Sequence, residues 1–181
     1  AAPAPGGSFL SQNGVEGSIG QAGVVATYGY DAAGNRVFET DIHGHRTDYR
    51  LDSLYRVVRV QGPQVPGPDL DAPAQSYETL ARFDLVGNKT RSVDGNGHAT
   101  RLEYDFANRL VLTVDPLGRE ERREYDGNGN PSVERWLAGG LEQRRRTLEY
   151  DGLNRPRRVE ETFQSRDGET LTYVTHKAYD D

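Results

Sequence analysis

Residues 84–125 read DLVGNKTRSVDGNGHATRLEY followed by DFANRLVLTVDPLGREERREY. These two 21-residue stretches share one order: Asp, a tight turn, a short strand, a second turn, and a strand ending in Tyr. In Thr100-Arg101-Leu102-Glu103-Tyr104, Thr100, Leu102 and Tyr104 share one face and Arg101 and Glu103 the other, the two-residue period of a strand. Leu110, Leu112 and Val114 alternate in the same way with Val111 and Thr113. Each stretch is therefore one β-hairpin, and a lone hairpin is marginal in water, so neighbours must complete it.

Outward from this pair, the same boundary recurs along the chain. An aromatic-Asp step stands at Tyr30-Asp31, Phe83-Asp84, Tyr104-Asp105, Tyr125-Asp126, Tyr150-Asp151 and Tyr179-Asp180, with Leu51-Asp52 as a degenerate copy. A period of this size marks a repeat architecture in which each unit stacks on the next. Three residues after the Asp comes Gly34, Gly87, Asn108, Gly129 or Asn154, the residue types that accept positive φ. A second turn follows at Asp94-GNG, Asp115-PLG, Leu137-AGG and Arg166-DGE. The reading is an all-β fold: an antiparallel ribbon of hairpins paired in sequence order.

Two segments break the period. Residues 1–23 are rich in Gly, Ala, Pro and Ser and read as an arm or linker, with Phe9, Leu10, Val15 and Ile19 as possible anchors. The repeats then occupy 24–181. Within them, residues 61–76 carry Pro63, Pro66, Pro68 and Pro73 without alternation and read as a loop insertion at the sheet edge. Residues 141–150 are read as strand rather than helix because they precede a Tyr-Asp step in register. The open edges of such a meander are expected near Tyr28 and near Tyr173–Tyr179.

Composition agrees with a thin wall. Hydrophobic residues make up 34%, mean hydropathy is −0.80, and 21 glycines and 9 prolines supply turns. Net charge is −6, which opposes general nucleic-acid affinity. Arg144, Arg145 and Arg146 are a local exception, read as a solvated strand face beside Glu142 and Glu149. Cysteine is absent, which removes disulfides, thiolate metal sites and Cys nucleophiles. No apolar run approaches the ~20 residues of a membrane-spanning helix. Methionine is absent too, even at position 1, so the chain is expected to be a piece of something longer.

The candidates for chemistry dissolve on inspection. Asp126-Gly127-Asn128-Gly129-Asn130 opens like a calcium loop, but Pro131 and Leu137 stand where that loop needs Gly and a bidentate Glu. His43, His45 and Asp41 lie close in sequence without a further ligand, and read as turn residues. No nucleophile elbow or triad signature is present. The expectation is no catalytic residue, no metal and no cofactor. The recurring Tyr-Asp pairs read as structural, with Asp capping a turn through its own side chain and Tyr packing across strands.

Asp-x-x-Gly/Asn followed by strand, Gly turn and strand ending in Tyr resembles the YD repeat of the RHS-repeat family over about residues 28–181. The resemblance implies a curved segment of a larger hollow shell built from a spiralling hairpin ribbon, which in bacterial members holds a toxin domain. It implies as partners other shell segments of the same parent, or a second copy through the sheet edges, together with an enclosed toxin domain. It also implies secretion or cell-surface location in a bacterium. The competing reading is a cell-surface adhesion or scaffold module binding through a sheet face or edge.

Overall fold

Gly or Asn at intervals of about ten residues cannot sustain a helix, and β-branched and aromatic residues between them favour strands. The computed structural model follows this division. It describes residues 15–19, 26–65, 75–165 and 168–180, and among them there are fourteen strands and no helix. The arm of 1–23 lies outside the described residues except for 15–19, and the loop of 61–76 lies outside them from 66 to 74.

The chain divides into two units, Ala1–Arg82 with Ser92–His98, and Phe83–Arg91 with Ala99–Asp181. The first holds β1 (Val15–Ile19), β2 (Ala26–Tyr30), β3 (Arg36–Thr40), β4 (Arg46–Leu51), β5 (Val57–Val65) and β6 (Gln75–Phe83), each antiparallel to the one before. β7 (Lys89–Val93) falls on the boundary. The second holds β8 (Ala99–Tyr104), β9 (Leu110–Val114), β10 (Glu120–Tyr125), β11 (Pro131–Ala138), β12 (Leu141–Tyr150), β13 (Pro156–Gln164) and β14 (Thr170–His176), again paired in sequence order. The fold is all-β and antiparallel, as the hairpin period requires, and residues 141–150 are strand.

Three expectations need correction. Tyr28 is not at an edge, because β1 pairs with β2 and sets Gly17 opposite Tyr28. The proline-rich stretch is strand at both ends: Gln61–Val65 continue β5 and Gln75–Ser76 open β6. The register shifts between Gln61 and Gln64, so Pro63, which has no N–H to give, sits in a bulge where the ladder does not need one. The third concerns Arg144–Arg146. Arg144 and Arg146 are half-buried in an ion-pair ladder on one face, and alternation along β12 sends Arg145 to the other.

Little is deeply buried. Among the described residues Leu148 and Val159, neighbours across β12 and β13, form the buried hydrophobic pair, and no described side chain is fully enclosed. Most strand side chains are half-exposed, so cohesion comes from ladders, turns and cross-strand pairs, each of the latter contributing ~0.2–1 kcal/mol. Aromatic rings cover backbone where glycine leaves room. A Cβ on Gly29 would stand 1.9 Å from the Phe38 ring opposite it, and one on Gly62 would stand 2.1 Å from the Tyr77 ring.

Candidate functional site: the aspartate turn and its tyrosine

Each signature Asp from Asp31 to Asp151 heads a five-residue turn. The backbone N–H of Asp105 donates to the carbonyl of Arg109 at 3.0 Å, and Asn108 N–H donates back to the Asp105 carbonyl at 3.0 Å. Asp105 Oδ1 accepts from the N–H of Ala107 and of Arg109, both at 2.9 Å. Its Oδ2 accepts from Arg109 Nε at 2.8 Å. The same pattern recurs at Asp31 and Asp126, where the amide of Asn35 or Asn130 replaces the guanidinium, and at Asp52 and Asp151, where Arg56 and Arg155 supply it. At Asp84, Oδ1 accepts from Asn88 N–H and Oδ2 from its side-chain amide.

The fourth residue closes the turn at positive φ: Gly34 at 85°, Gly87 at 102°, Asn108 at 61°, Gly129 at 88° and Asn154 at 60°. The degenerate copy keeps the geometry without the residue, because Tyr55 sits at φ 61°. Tyr55 was not legible as a turn residue, since nothing in its type favours that conformation.

The second turn of the repeat is built alike. Asp41, Asp94 and Asp115 hold their turns with Oδ1 accepting two backbone N–H groups, and Gly44, Gly97 and Gly118 take φ 83°, 83° and 75°. Asp115-Pro116-Leu117-Gly118 is thus a capped turn. Ser165 plays the Asp role one residue ahead of the expected Arg166 start, its Oγ accepting from Glu169 N–H at 3.0 Å. The β11–β12 hairpin needs no cap: Gly139 and Gly140, at φ 58° and 78°, join Ala138 directly opposite Leu141, a two-residue loop of the mirror-turn kind.

The first turns have a register shift beside them. It falls at Tyr30, Leu51, Tyr104, Tyr125 and Tyr150, each of which faces the residue five past its Asp: Arg36, Val57, Leu110, Pro131 and Pro156. A bulge leaves ladder groups unpaired, and the Tyr hydroxyl supplies one partner. Tyr104 donates to the Lys89 carbonyl at 3.1 Å, Tyr125 to Leu110 at 2.8 Å, Tyr150 to Pro131 at 2.9 Å and Tyr179 to Pro156 at 2.8 Å. Tyr125 therefore binds the carbonyl of the residue facing Tyr104, and Tyr150 that of the residue facing Tyr125. Arg109 and Arg155, already held by their Asp, lie over the rings of Tyr125 and Tyr179 at 4.5 and 4.6 Å. Phe83 carries no hydroxyl to make such a bond.

The carboxylates are held ionised. In Asp31 and Asp126 the side-chain amide of Asn35 or Asn130 lowers the pKa most. In Asp41, Asp94, Asp105 and Asp151 the backbone N–H of the fifth turn residue leads, and in Asp52 the Arg56 side chain. At Asp84 and Asp115 desolvation pushes upward, but the hydrogen bonds together outweigh it.

The suspected metal residues are committed to turns. Asp126 Oδ1 accepts from Asn128 and Asn130 N–H, and His45 Nδ1 lies 3.1 Å from Asp41 Oδ2 with His43 ring to ring at 6.0 Å. Among the described residues no group of three or more His, Cys, Asp or Glu is placed to hold a metal ion. In the second unit a half-buried ladder lies on the Tyr125 face: Glu134 takes Arg146 at 3.2 Å and Arg123 at 3.8 Å, and Glu161 takes Arg144 at 2.8 Å. Arg144 also lies over Trp136 at 4.5 Å and Phe163 at 5.3 Å. Two shallow grooves of about 460 and 390 Å³ open on the units, one beside Tyr28, Glu39 and Tyr77, the other beside Trp136 and Leu137. Glu39 in the first is already taken by Tyr49 at 2.8 Å and Arg36 at 2.8 Å.

No family model matches the chain. It is 33% identical over 148 residues to the toxin protein Tse5 of Pseudomonas aeruginosa, an alignment covering 73% of this chain and 11% of that protein. The chain belongs to the RHS/YD-repeat family. The crystal structure of TcdB2-TccC3-Cdc42 superposes with a TM-score of 0.61 at 18% identity, over 93% of this chain and 10% of that one. The TcdB2-TccC3 structure gives 0.61 at 20% identity, over 86% and 9%. These likenesses show the fold, and this RHS-repeat chain spans about a tenth of the length of the relatives it matches.

Proposed function

We propose that this RHS-repeat chain is a non-catalytic length of wall in a larger shell that encloses or presents a toxin domain, extended by further wall segments of the same parent protein. The observation that carries the reading is the outer edge of β14. Ser165 N–H donates to Glu169 O at 2.7 Å and Lys177 N–H to Arg157 O at 2.9 Å, which fixes the odd-numbered residues of β14 as those bonded to β13. Thr170, Thr172, Val174 and His176 therefore aim N–H and C=O outward, with no strand beside them among the described residues. A strand so placed is a template for the next one.

The aspartates support a structural part, since their oxygens are occupied by their own turns rather than converging on a shared cleft. Relatedness to a protein named a toxin supports the containment half of the reading. The reading implies a secreted or surface-displayed bacterial parent, and no helix of the described residues is long and apolar enough to cross a membrane.

The test is Val174→Pro in the full-length parent. Proline removes an outward N–H and blocks the following strand. Limited trypsin digestion should then open the region C-terminal to the break, while the parent with Val174 intact protects it. Equal protection of both proteins would overturn the wall reading.

A further inference from the structure

One arrangement of three groups recurs along the chain: an aromatic ring, a carboxylate, and an arginine held by both. Arg46 lies over Phe38 at 3.8 Å and on Asp48 at 2.7 Å. Arg109 lies over Tyr125 at 4.5 Å and on Asp105 at 2.7 Å, and Arg155 over Tyr179 at 4.6 Å and on Asp151 at 2.7 Å. Arg36 joins Tyr49 to Glu39, at 5.2 and 2.8 Å, and Arg144 joins Trp136 to Glu161, at 4.5 and 2.8 Å. The negative face of the ring and the carboxylate draw a cation to the same place, so the three groups belong together.

In the first unit one groove holds the ring and the carboxylates without the cation. Tyr28, Glu39 and Thr47 stand in one row across β2, β3 and β4, and Asp41 and Tyr77 line the same groove of about 460 Å³. Two glycines make room for Tyr77: a Cβ on Gly62 would stand 2.1 Å from its ring, and one on Gly95 3.0 Å from its Cβ. The residue is 47% exposed, and among the described residues no guanidinium lies over its ring. None of the described residues lining the groove is Arg or Lys. A carboxylate has roughly four acceptor sites. Glu39 fills two of its own, with the Tyr49 hydroxyl and Arg36. Asp41 fills three, with the N–H of His43, the N–H of His45 and the His45 ring. Each keeps room for a further donor.

We propose that this groove binds an arginine or lysine side chain carried by a peptide segment of a protein partner, with Tyr77 as the ring and Glu39 and Asp41 as the counter-charges. Charge complementarity selects this occupant. An acidic segment would meet two carboxylates, and a purely apolar one would cover them without pairing them. A basic side chain completes the arrangement that the chain builds elsewhere from its own residues. The volume lies toward the small end of ligand pockets, which suits one side chain better than a folded surface. A single such contact at an open groove is weak, and it selects a partner by charge more than by affinity. The site is a property of the first unit and stands apart from the wall reading.

The probe is a short glycine peptide, blocked at both ends, with one central arginine. Titrated into the 181-residue chain and followed by nuclear magnetic resonance, it should give saturable shifts at Glu39, Thr47 and Tyr77. The expected Kd is on the order of 1 mM. The same peptide with citrulline keeps the shape, removes the charge, and should bind at least about tenfold more weakly. This comparison uses the unaltered chain and needs no variant to fold. Tyr77→Leu should weaken arginine binding at least about threefold, whereas Tyr77→Phe, which keeps the ring face, should not. Gly62→Ala displaces the ring without changing it and should weaken binding likewise. Tyr173→Leu, in the second unit, should leave binding unchanged. Equal binding of the arginine and citrulline peptides, no saturable shift up to about 20 mM, or an affinity indifferent to Tyr77→Leu overturns the proposal. So does maltose moving the same resonances at lower concentration than the arginine peptide, which would show a sugar groove. None of these outcomes bears on the protease test of the wall reading.

Discussion

The aspartate at the head of each turn uses one oxygen for two backbone N–H groups and the other for the side chain four residues on. Nine such residues, from Asp31 to Asp151, have folded-state pKa values below the ordinary value. In acid the unfolded chain therefore binds more protons than the folded one. The stability these groups contribute is fully present above the unfolded value of about 3.9 and is lost as pH falls through the lowered values. Urea midpoints should hold steady from near-neutral pH down to about pH 5 and drop steeply below about pH 4. Asp105→Asn keeps the Oδ1 acceptor but does not titrate, so it should flatten that drop; an unchanged acid slope would show that the turns do not control it. Tyr125 is a half-buried ring with a bonded hydroxyl. Tyr125→Phe should cost about 1 kcal/mol in chemical denaturation and Tyr125→Ala about 2 kcal/mol, below a full core truncation. Arg101→Ala, on the exposed opposite face, should cost under about 0.5 kcal/mol. Tyr55, at φ 61° and exposed, pays a left-handed penalty that its type cannot offset. Tyr55→Gly should raise the melting temperature, with a gain of up to about 1 kcal/mol, and a lower melting temperature would mean the ring makes a contact worth more than the strain.

At the scale of the element, the hairpins were legible because their punctuation is local. Asp at the head and Gly or Asn three residues on fix a turn without any knowledge of what it packs against, and the alternation of Thr100, Leu102 and Tyr104 fixes the face. What stayed hidden depends on partners. The stretch around β1 carries Gly14, Gly17 and Gly20 in its sequence and reads as linker, yet β1 pairs along five residues with β2. The ends of the proline-rich stretch read as loop because Pro63 forbids a regular ladder, and the bulge that accommodates it is visible only once Gln61 and Gln64 have partners. The same applies to the tyrosine. Its place at the end of each strand is plain in the sequence, but the carbonyl it binds, 15 residues back in Tyr104 and Tyr125 and 19 in Tyr150, follows from register. Arg144 and Arg146 were misjudged for a related reason: three consecutive arginines look solvated until alternation and the facing Glu134 and Glu161 divide them between faces.

For the molecule as a whole, one small buried hydrophobic pair and strand pairing only between sequence neighbours among the described residues imply behaviour as a sum of repeats and of the contacts between them. The registers make this testable. Tyr104 faces Leu110 and Glu103 faces Leu112; 21 residues on, Tyr125 faces Pro131 and Glu124 faces Val133. Deleting residues 105–125 thus joins Tyr104 to Asp126 and lets β8 take the place of β10 against β11 without a slip. Glu103 inherits the position from which Glu124 holds Arg135 at 2.8 Å, while Glu134 loses Arg123 to Leu102 but keeps Arg146. The shortened chain should remain β-rich, with amide protection in β11, β12 and β13 retained and overall stability lowered by about one repeat's share. Deleting residues 105–114 removes a turn and a single strand, so β8 meets β10 through the Asp115 turn with Tyr104 in the place of Val114 opposite Glu120, and the two faces of β8 are exchanged relative to the strands that follow. That shorter deletion should lower overall stability more than the 21-residue one although it removes fewer residues, with the loss of protection centred on β8 and β10, where the faces no longer match. If the two deletions cost the same, the second unit holds together through something other than repeat-by-repeat pairing. If only the 21-residue deletion is tolerated, the hairpin with its Asp turn and Tyr bond is the unit by which this wall is lengthened or shortened.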